Sequence, residues 1–342
     1  MYRITFQSLV AVALASLAWC AITPPSLAAS DPPTMKAVRI DGFGGVEVMK
    51  YEDAAKPVAG PDQVLIHIRA AGVNPVDWKI REGMLRGQKL PMPFILGFDV
   101  SGVVETVGDS VKDFKVGDEV YAYLSLMSGG GYAEYVAAPA STVTKKPTNV
   151  DHVKAAAVPL AALTAWQALF DRAGLKSGQT VLIHGAAGGV GHFAVQLAKA
   201  KGAKVIATAS EKNLDFVKGL GADQVIDYRK QKFEEVAKDV DVVFDMIGGD
   251  TLERSYGVVK EGGFVVSIVA PPNAEKLAAR KARGAVLLVK PDAKELAEIT
   301  TLIESGAVKP EVSATFALKD AAKAHEKSKA GVDRGKIVLT VP

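Results

Sequence analysis

The chain has 342 residues, enough for two domains that each bury a core. Hydrophobic residues make up 49% and charged residues 23%, which excludes a disordered or fibrous protein. With 41 basic against 38 acidic residues the net charge is +3, so no strong field invites nucleic acid.

The chain opens MYR, continues through the apolar run LVAVALASLAWCAI and reaches TPPSLAAS. A basic start, a short apolar core and small residues at Ser26 and Ala28 describe a secretory signal over residues 1–28, cleaved after Ala28. The apolar run is shorter than the ~20 residues of a membrane helix. This predicts an exported or periplasmic protein, with a cytoplasmic one as the alternative. Cys20 is the only cysteine and falls in that segment, so the remainder holds no disulfide, thiol nucleophile or Cys-rich zinc site. The five histidines His67, His152, His184, His192 and His325 lack ligand spacing and read as structural.

From Met35 to about Val150 short β-branched or aromatic segments alternate with Gly, Pro and Asp: MKAVRI, QVLIHIRAAGV, DVSGVVETVG, GDEVYAYL and YAEYVAAP. This predicts a barrel-like β domain. One helical turn is predicted in 75-PVDWKIREG-83, with Pro75 at its start. A helix-like stretch, 154-KAAAVPLAALTAWQALF-170, follows. Then strands alternate with amphipathic helices: TVLIHG, KVIATAS, QVIDY, DVVFDMIG, GFVVSIVA and AVLLV are the strands. Such alternation predicts right-handed crossovers and a doubly wound parallel sheet. After about Lys309, TFAL, a helix over 319–330 and KIVLTV leave that scheme and are expected to complete the first domain. The predicted division is 29–153 with 310–342 in the β-rich domain and 154–309 in the α/β domain.

Between the first α/β strand and its helix, 186-AAGGVG-191 fits A-x-G-x-x-G, the dinucleotide fingerprint with its first glycine replaced. Small residues are needed there because peptide N–H groups at a helix start must approach a pyrophosphate. Gly188 allows the approach, and Gly191 lets the helix pack on the sheet. An NAD binder places an acid at the end of the second strand. Here KVIATAS ends in Ala209–Ser210 with Glu211 and Lys212 next, which suits a 2′-phosphate and predicts NADPH over NADH. Glu211 could still do the acid's work. Tyr228 ends the third strand and could flank the adenosine.

These residues resemble the zinc-independent quinone oxidoreductases (zeta-crystallin-like) of the medium-chain dehydrogenase/reductase superfamily. The resemblance runs through 71-AGVNPVDWKIREG-83, 97-GFDVSGVVETVG-108, 130-GGYAEYV-136, 178-GQTVLIHGAAGGVGHFAVQLAK-199, 221-GADQVIDY-228 and 335-GKIVL-339, and so spans Met35–Pro342. It implies an α/β fold with a GroES-like catalytic domain, a Rossmann domain and an active site between them. Zinc-dependent relatives carry a cysteine where this chain has Asn74 and a His-Glu pair where it has Phe98–Asp99. Without a Lewis acid the substrate must be intrinsically electrophilic, a quinone or α,β-unsaturated carbonyl.

By the same resemblance, Asn74 contacts the nicotinamide end and helps form the substrate pocket, and Thr164 faces the nicotinamide. Ala187, Gly188, Gly189 and Val190 cradle the pyrophosphate, while Ser210, Lys212 and Tyr228 hold the 2′-phosphate. Ile247, Val269 and Ala270 line the nicotinamide slot, and Lys336 approaches from the carboxyl-terminal segment. Many members have tyrosine where this chain has Lys79, so Lys79, Tyr123 or water supplies the proton. An alkenal, enone or enoyl-thioester reductase on the same scaffold, or a low-turnover NADPH-binding protein, are the alternatives. The spacing Tyr228-x-x-x-Lys232 mimics a short-chain dehydrogenase pair but lies at a strand end. A homodimer is the family-level expectation.

Overall fold

The computed structural model describes residues 33–342, and the expected signal segment lies outside the described residues. Two sheets organise the chain. In the first, seven-stranded sheet the strands run in the order Val312–Ala317, Lys336–Thr340, Gln63–Val73, Asp99–Val107, Glu119–Tyr123 and Val143–Lys145, with Tyr135–Pro139 also paired to Gln63–Val73. A small sheet of Met49–Ala55, Thr34–Ile40 and Phe94–Ile95 packs beside it. The long strand Gln63–Val73 is buried along most of its length, with Val64, Leu65, Ile66, Ile68, Ala70 and Ala71 all inside. A strand covered on both faces reads as a continuous apolar run, and QVLIHIRAAGV does so.

The second sheet has six strands in the order Gln224–Asp227, Lys204–Ala209, Thr180–Ile183, Val240–Asp245, Val259–Ser267 and Arg283–Val286. All its pairings are parallel. The order in which strands are added reverses between Thr180–Ile183 and Val240–Asp245, and such a switch point is where an open α/β sheet forms its crevice. The carboxyl-terminal strand Lys336–Thr340 lies antiparallel to Gln63–Val73, with Ile337 opposite Val73. That register sets Lys336 beside Asn74, although 262 residues separate them.

Two elements differ from the sequence reading. The expected single helix over 154–170 is three pieces: helices His152–Ala156 and Pro159–Trp166, then a π-helical turn Gln167–Arg172. Pro159 has no N–H to continue the first helix, and the next amide, Leu160, donates to the Asp99 carboxylate at 2.7 Å. The helix Ala293–Glu304 went unread. Its signals are present: Asp292 caps it by accepting from the amides of Lys294 and Glu295, and Leu296, Ile299 and Ile303 bury one face. Among the described residues no helix is long and apolar enough to cross a membrane.

Candidate functional site

A cleft of ≈ 750 Å³ runs between the two sheets. Its floor on the α/β side is the turn after Thr180–Ile183, where Ala187, Gly188, Gly189, Val190 and Gly191 line the cavity. Each glycine has a distinct reason. A Cβ on Gly191 would lie 2.2 Å from the Gly185 carbonyl oxygen and 2.8 Å from Ala186 Cα, so a side chain there would push the helix Gly191–Ala200 off the sheet. A Cβ on Gly188 would meet only the Gly185 oxygen, at 3.3 Å. No packing forbids a side chain at Gly188, whose bare backbone faces the cleft.

The turn is held from outside. The Gly335 amide donates to the Ala187 carbonyl at 2.9 Å. His192 Nδ1 donates to the Gly188 carbonyl at 2.9 Å and its Nε2 accepts from the Glu311 amide at 3.4 Å. Burial pushes His192 down to about 4, so it works as a neutral pin. His184 at the front of the turn is likewise neutral, pushed down to about 4 by burial and set between Thr208 Oγ1 at 3.2 Å and Ser255 Oγ at 3.1 Å. The amides of Gly189, Val190 and Gly191 have no protein acceptor among the described residues. Three unpaired N–H groups at the start of a ten-residue helix form an anion site. The bare backbone at Gly188 and these free donors fit a dinucleotide pyrophosphate.

Toward the second strand end, Ser210 and Tyr228 line the cleft together with Asn213 and Asp333. Asn213 donates to the Asp333 carbonyl at 2.7 Å and to Ser210 Oγ at 3.3 Å, tying the carboxyl-terminal loop to this end. Lys212 is outside the lining, and its exposed ammonium pairs with the Asp333 carboxylate.

Ile247 lines the cleft, carried by a loop whose amides at Ile247 and Gly248 both donate to Asp245 Oδ1, at 3.1 and 3.0 Å. Val269 and Ala270 are not in the lining, and Ile268 is. The Ser267 hydroxyl accepts from the amides of both Val269 and Ala270, at 3.2 and 3.3 Å, curling them away.

The opposite wall draws on both parts of the chain. Asn74, Lys79, Tyr123, Thr164 and Lys336 all line it, with apolar Val76, Met84, Leu126, Leu287 and Val289 between them. Thr164 Oγ1 donates to the Leu160 carbonyl at 2.6 Å, which leaves its lone pairs to the cleft. Tyr123 is buried, and its hydroxyl reaches only the Val289 carbonyl, at a weak 3.5 Å. Burial, reinforced by the charges of Asp99 and Asp77, pushes this phenol well above its usual range, so it stays a protonated donor. Lys79 is exposed at the rim, its ammonium 5.6 Å from the centroid of the Trp78 ring.

Beneath this wall lies a buried polar network that sequence reasoning did not assemble. Asn74 Nδ2 donates to Asp99 Oδ2 at 2.8 Å, and Lys336 Nζ donates to Asn74 Oδ1 and to the Val73 carbonyl. Asp77 Oδ2 accepts from the Asn74 amide at 2.6 Å and from the Tyr132 hydroxyl at 2.7 Å. Burial raises Asp77 to about 7 against those two donors, and its Oδ1 has no partner. Tyr132 in turn accepts from His325 Nε2 at 3.2 Å, and His325 Nδ1 accepts from Arg81 at 3.1 Å. Burial and then the Arg81 charge push His325 down to about 3, so the ring is neutral, and the Arg81 donor at Nδ1 puts its proton on Nε2. Among the described residues no cluster of three His, Cys, Asp or Glu is placed to hold a metal ion.

Comparison with known proteins bears on this arrangement. Residues 60–148 match the alcohol dehydrogenase GroES-like domain and residues 220–339 match the zinc-binding dehydrogenase domain. The NADPH-dependent alkenal/one oxidoreductase of Arabidopsis thaliana chloroplasts is 42% identical over 83% of this chain and 73% of its own length. The chloroplast envelope quinone oxidoreductase homolog of the same plant is 38% identical over 89% of this chain and 98% of its own. The solved quinone oxidoreductase of Coxiella burnetii superposes with a TM-score of 0.83 at 37% identity, covering 91% of this chain and 100% of that one. With a GroES-like domain, a parallel Rossmann sheet and a glycine-floored cleft between them, the chain is an oxidoreductase of the quinone oxidoreductase family in the medium-chain dehydrogenase/reductase superfamily.

Proposed function

We propose that this chain is an NADPH-dependent, zinc-independent reductase of quinones and α,β-unsaturated carbonyls. The observation that carries the reading is that one cleft joins the free amides of Gly189–Gly191 to the donors Asn74 and Tyr123. When bound with its diphosphate on those amides, a reduced nicotinamide supplies a hydride, two electrons with one hydrogen, to an electrophilic carbon.

The chain's own residues do the rest. Asn74 and Tyr123 present N–H and O–H donors to the oxygen that gains negative charge. One proton then completes the product, delivered by water entering the open rim or by Lys79. Val76, Met84, Leu126 and Leu287 keep the substrate end apolar and favour a neutral, lipophilic electrophile. Zinc independence is supported by residue chemistry: residues 29–342 contain no cysteine, and Asn74 and Phe98, neither of them a zinc ligand, stand where zinc-dependent relatives carry a cysteine and a histidine. NADPH rather than NADH is supported by Ser210 and Tyr228 at the second strand end and by the name of the Arabidopsis alkenal/one oxidoreductase.

Homodimerisation through an open edge of the parallel sheet, and export through a cleaved signal, complete the proposal; sedimentation and amino-terminal sequencing of the mature protein test them. The activity itself is tested by following NADPH oxidation with 1,4-benzoquinone, 9,10-phenanthrenequinone and 2-alkenals. Turnover with at least one class is expected. A flat response to all three overturns the reading.

A further inference from the structure

We propose that Lys336 and Asp99 are positioning residues that hold and polarise the Asn74 carboxamide, so that its second Nδ2 hydrogen donates to the substrate oxygen as charge develops there. The inference rests on the reductase reading and deepens it by naming what replaces a Lewis acid.

The donor count leads to this assignment. An ammonium has three N–H groups. Lys336 Nζ faces three acceptors: the Val73 carbonyl at 3.1 Å, Asn74 Oδ1, and Asp99 Oδ2 at 3.7 Å. Two of its donors are hydrogen-bonded inside the protein and its charge is paired with Asp99, so Lys336 acts on a substrate through another group. Asn74 has two amide hydrogens. One goes to Asp99 Oδ2 at 2.8 Å, and no protein acceptor among the described residues takes the other. Asn74 lines the cleft, so that hydrogen is the one available to a group within it.

The charges determine which way the amide faces. Flipping it would turn the NH2 toward the ammonium and the oxygen toward the carboxylate, two repulsive contacts in place of two attractive ones. A cation on the amide oxygen also withdraws density from the nitrogen and strengthens the remaining N–H as a donor, an effect enhanced in a dry site. Asp99 is in turn fixed by the Leu160 amide at 2.7 Å. Gly72 leaves room for it: a Cβ there would lie 2.9 Å from Asp99 Cβ and 2.4 Å from the Ala156 carbonyl oxygen. Asn74, between strand Gln63–Val73 and helix Pro75–Arg81, thus meets one residue from strand Asp99–Val107 and one from strand Lys336–Thr340 to form a charge-oriented amide.

The test uses the full chain with NADPH, comparing wild type with Lys336→Met and with the charge-balanced double variant Asp99→Asn/Lys336→Met. Two readouts accompany kcat and KM. One is the slope of log kcat against reduction potential across a quinone series. The other is the infrared carbonyl stretch of 2-cyclohexenone bound beside NADP+. The expected result is a loss of about tenfold or more in kcat, with KM for NADPH held within about threefold. The slope steepens, because the substrate must supply more of its own electrophilicity, and the carbonyl stretch rises toward its value in apolar solvent. Unchanged kcat, slope and stretch with only a weaker NADPH KM overturns the proposal and makes Lys336 a cofactor contact. If Lys336→Met alone does not fold, the double variant decides by the same criteria, since it strands no buried charge. A wild type that reduces no electrophile overturns the reductase reading itself, and this inference with it.

Discussion

The two ends of the cleft are built by opposite means. At the pyrophosphate end the chain presents bare backbone from one short contiguous stretch, and side chains matter mainly by being absent. At the Asn74 end three separate segments each deliver one polar side chain, Asn74 from a helix N-cap and Asp99 and Lys336 from strands, and the charges on Lys336 and Asp99 flank a neutral amide. Backbone geometry can be encoded locally by glycine, whereas an oriented amide needs partners that only tertiary structure brings within reach. The first design is sensitive to side-chain volume, and the second to the balance of charge.

The largest effect separating these designs is expected at Gly191. Gly191→Val places side-chain atoms where even a Cβ would lie 2.2 Å from a backbone oxygen. Destabilisation of about 3 kcal/mol or more is expected by urea unfolding. Gly188→Val is the matched control: the protein around Gly188 offers one contact at 3.3 Å, so the melting temperature should move little while NADPH affinity falls by about 100-fold, or about 2.7 kcal/mol. Equal loss of stability in both variants would mean that the loop is bare for packing alone.

At the other end, Tyr123→Phe removes a hydroxyl whose protein contact is a weak 3.5 Å, so kcat should fall by about tenfold with the fold intact. An unaltered kcat would leave Asn74 as the sole donor. The smallest expected effect is at the surface. Lys212 is held by Asp333, and both side chains are exposed. Asp333→Asn should free the ammonium and tighten NADPH relative to NADH by about threefold at low salt, fading at high salt. A salt-independent change would assign the effect to loop geometry instead.

The same division explains what could be read without coordinates. The parallel sheet, the glycine loop and the turn at Ser210 follow from periodicity and small-residue spacing in continuous segments, and Gly191 packs its helix against the turn as the motif implies. Pro75 begins its helix as its ring geometry suggests. The network Arg81–His325–Tyr132–Asp77 was not legible, because its members come from distant segments and each alone looks like an ordinary core or surface residue. His184 and His192 bracket the glycine stretch in sequence, and that adjacency is the signal by which their pinning role could have been found. Val269 and Ala270 were expected in the cleft wall, but a one-residue difference at a strand end decides which side chain enters, and there the Ser267 hydroxyl sets the turn. The helix Ala293–Glu304 lies beyond the last strand of the alternation, although its Asp292 cap and the period of Leu296, Ile299 and Ile303 are visible in the sequence.

The central claim is that a nicotinamide dinucleotide lies with its diphosphate on the bare main chain beside Gly188. Calorimetric titration of purified wild type and Gly188→Val with NADPH tests it most directly. One molecule bound per chain by the wild type, with affinity reduced about 100-fold in a variant that melts normally, is the predicted result. Equal binding by both proteins, or no binding of NADPH or NADH by the wild type, would contradict it.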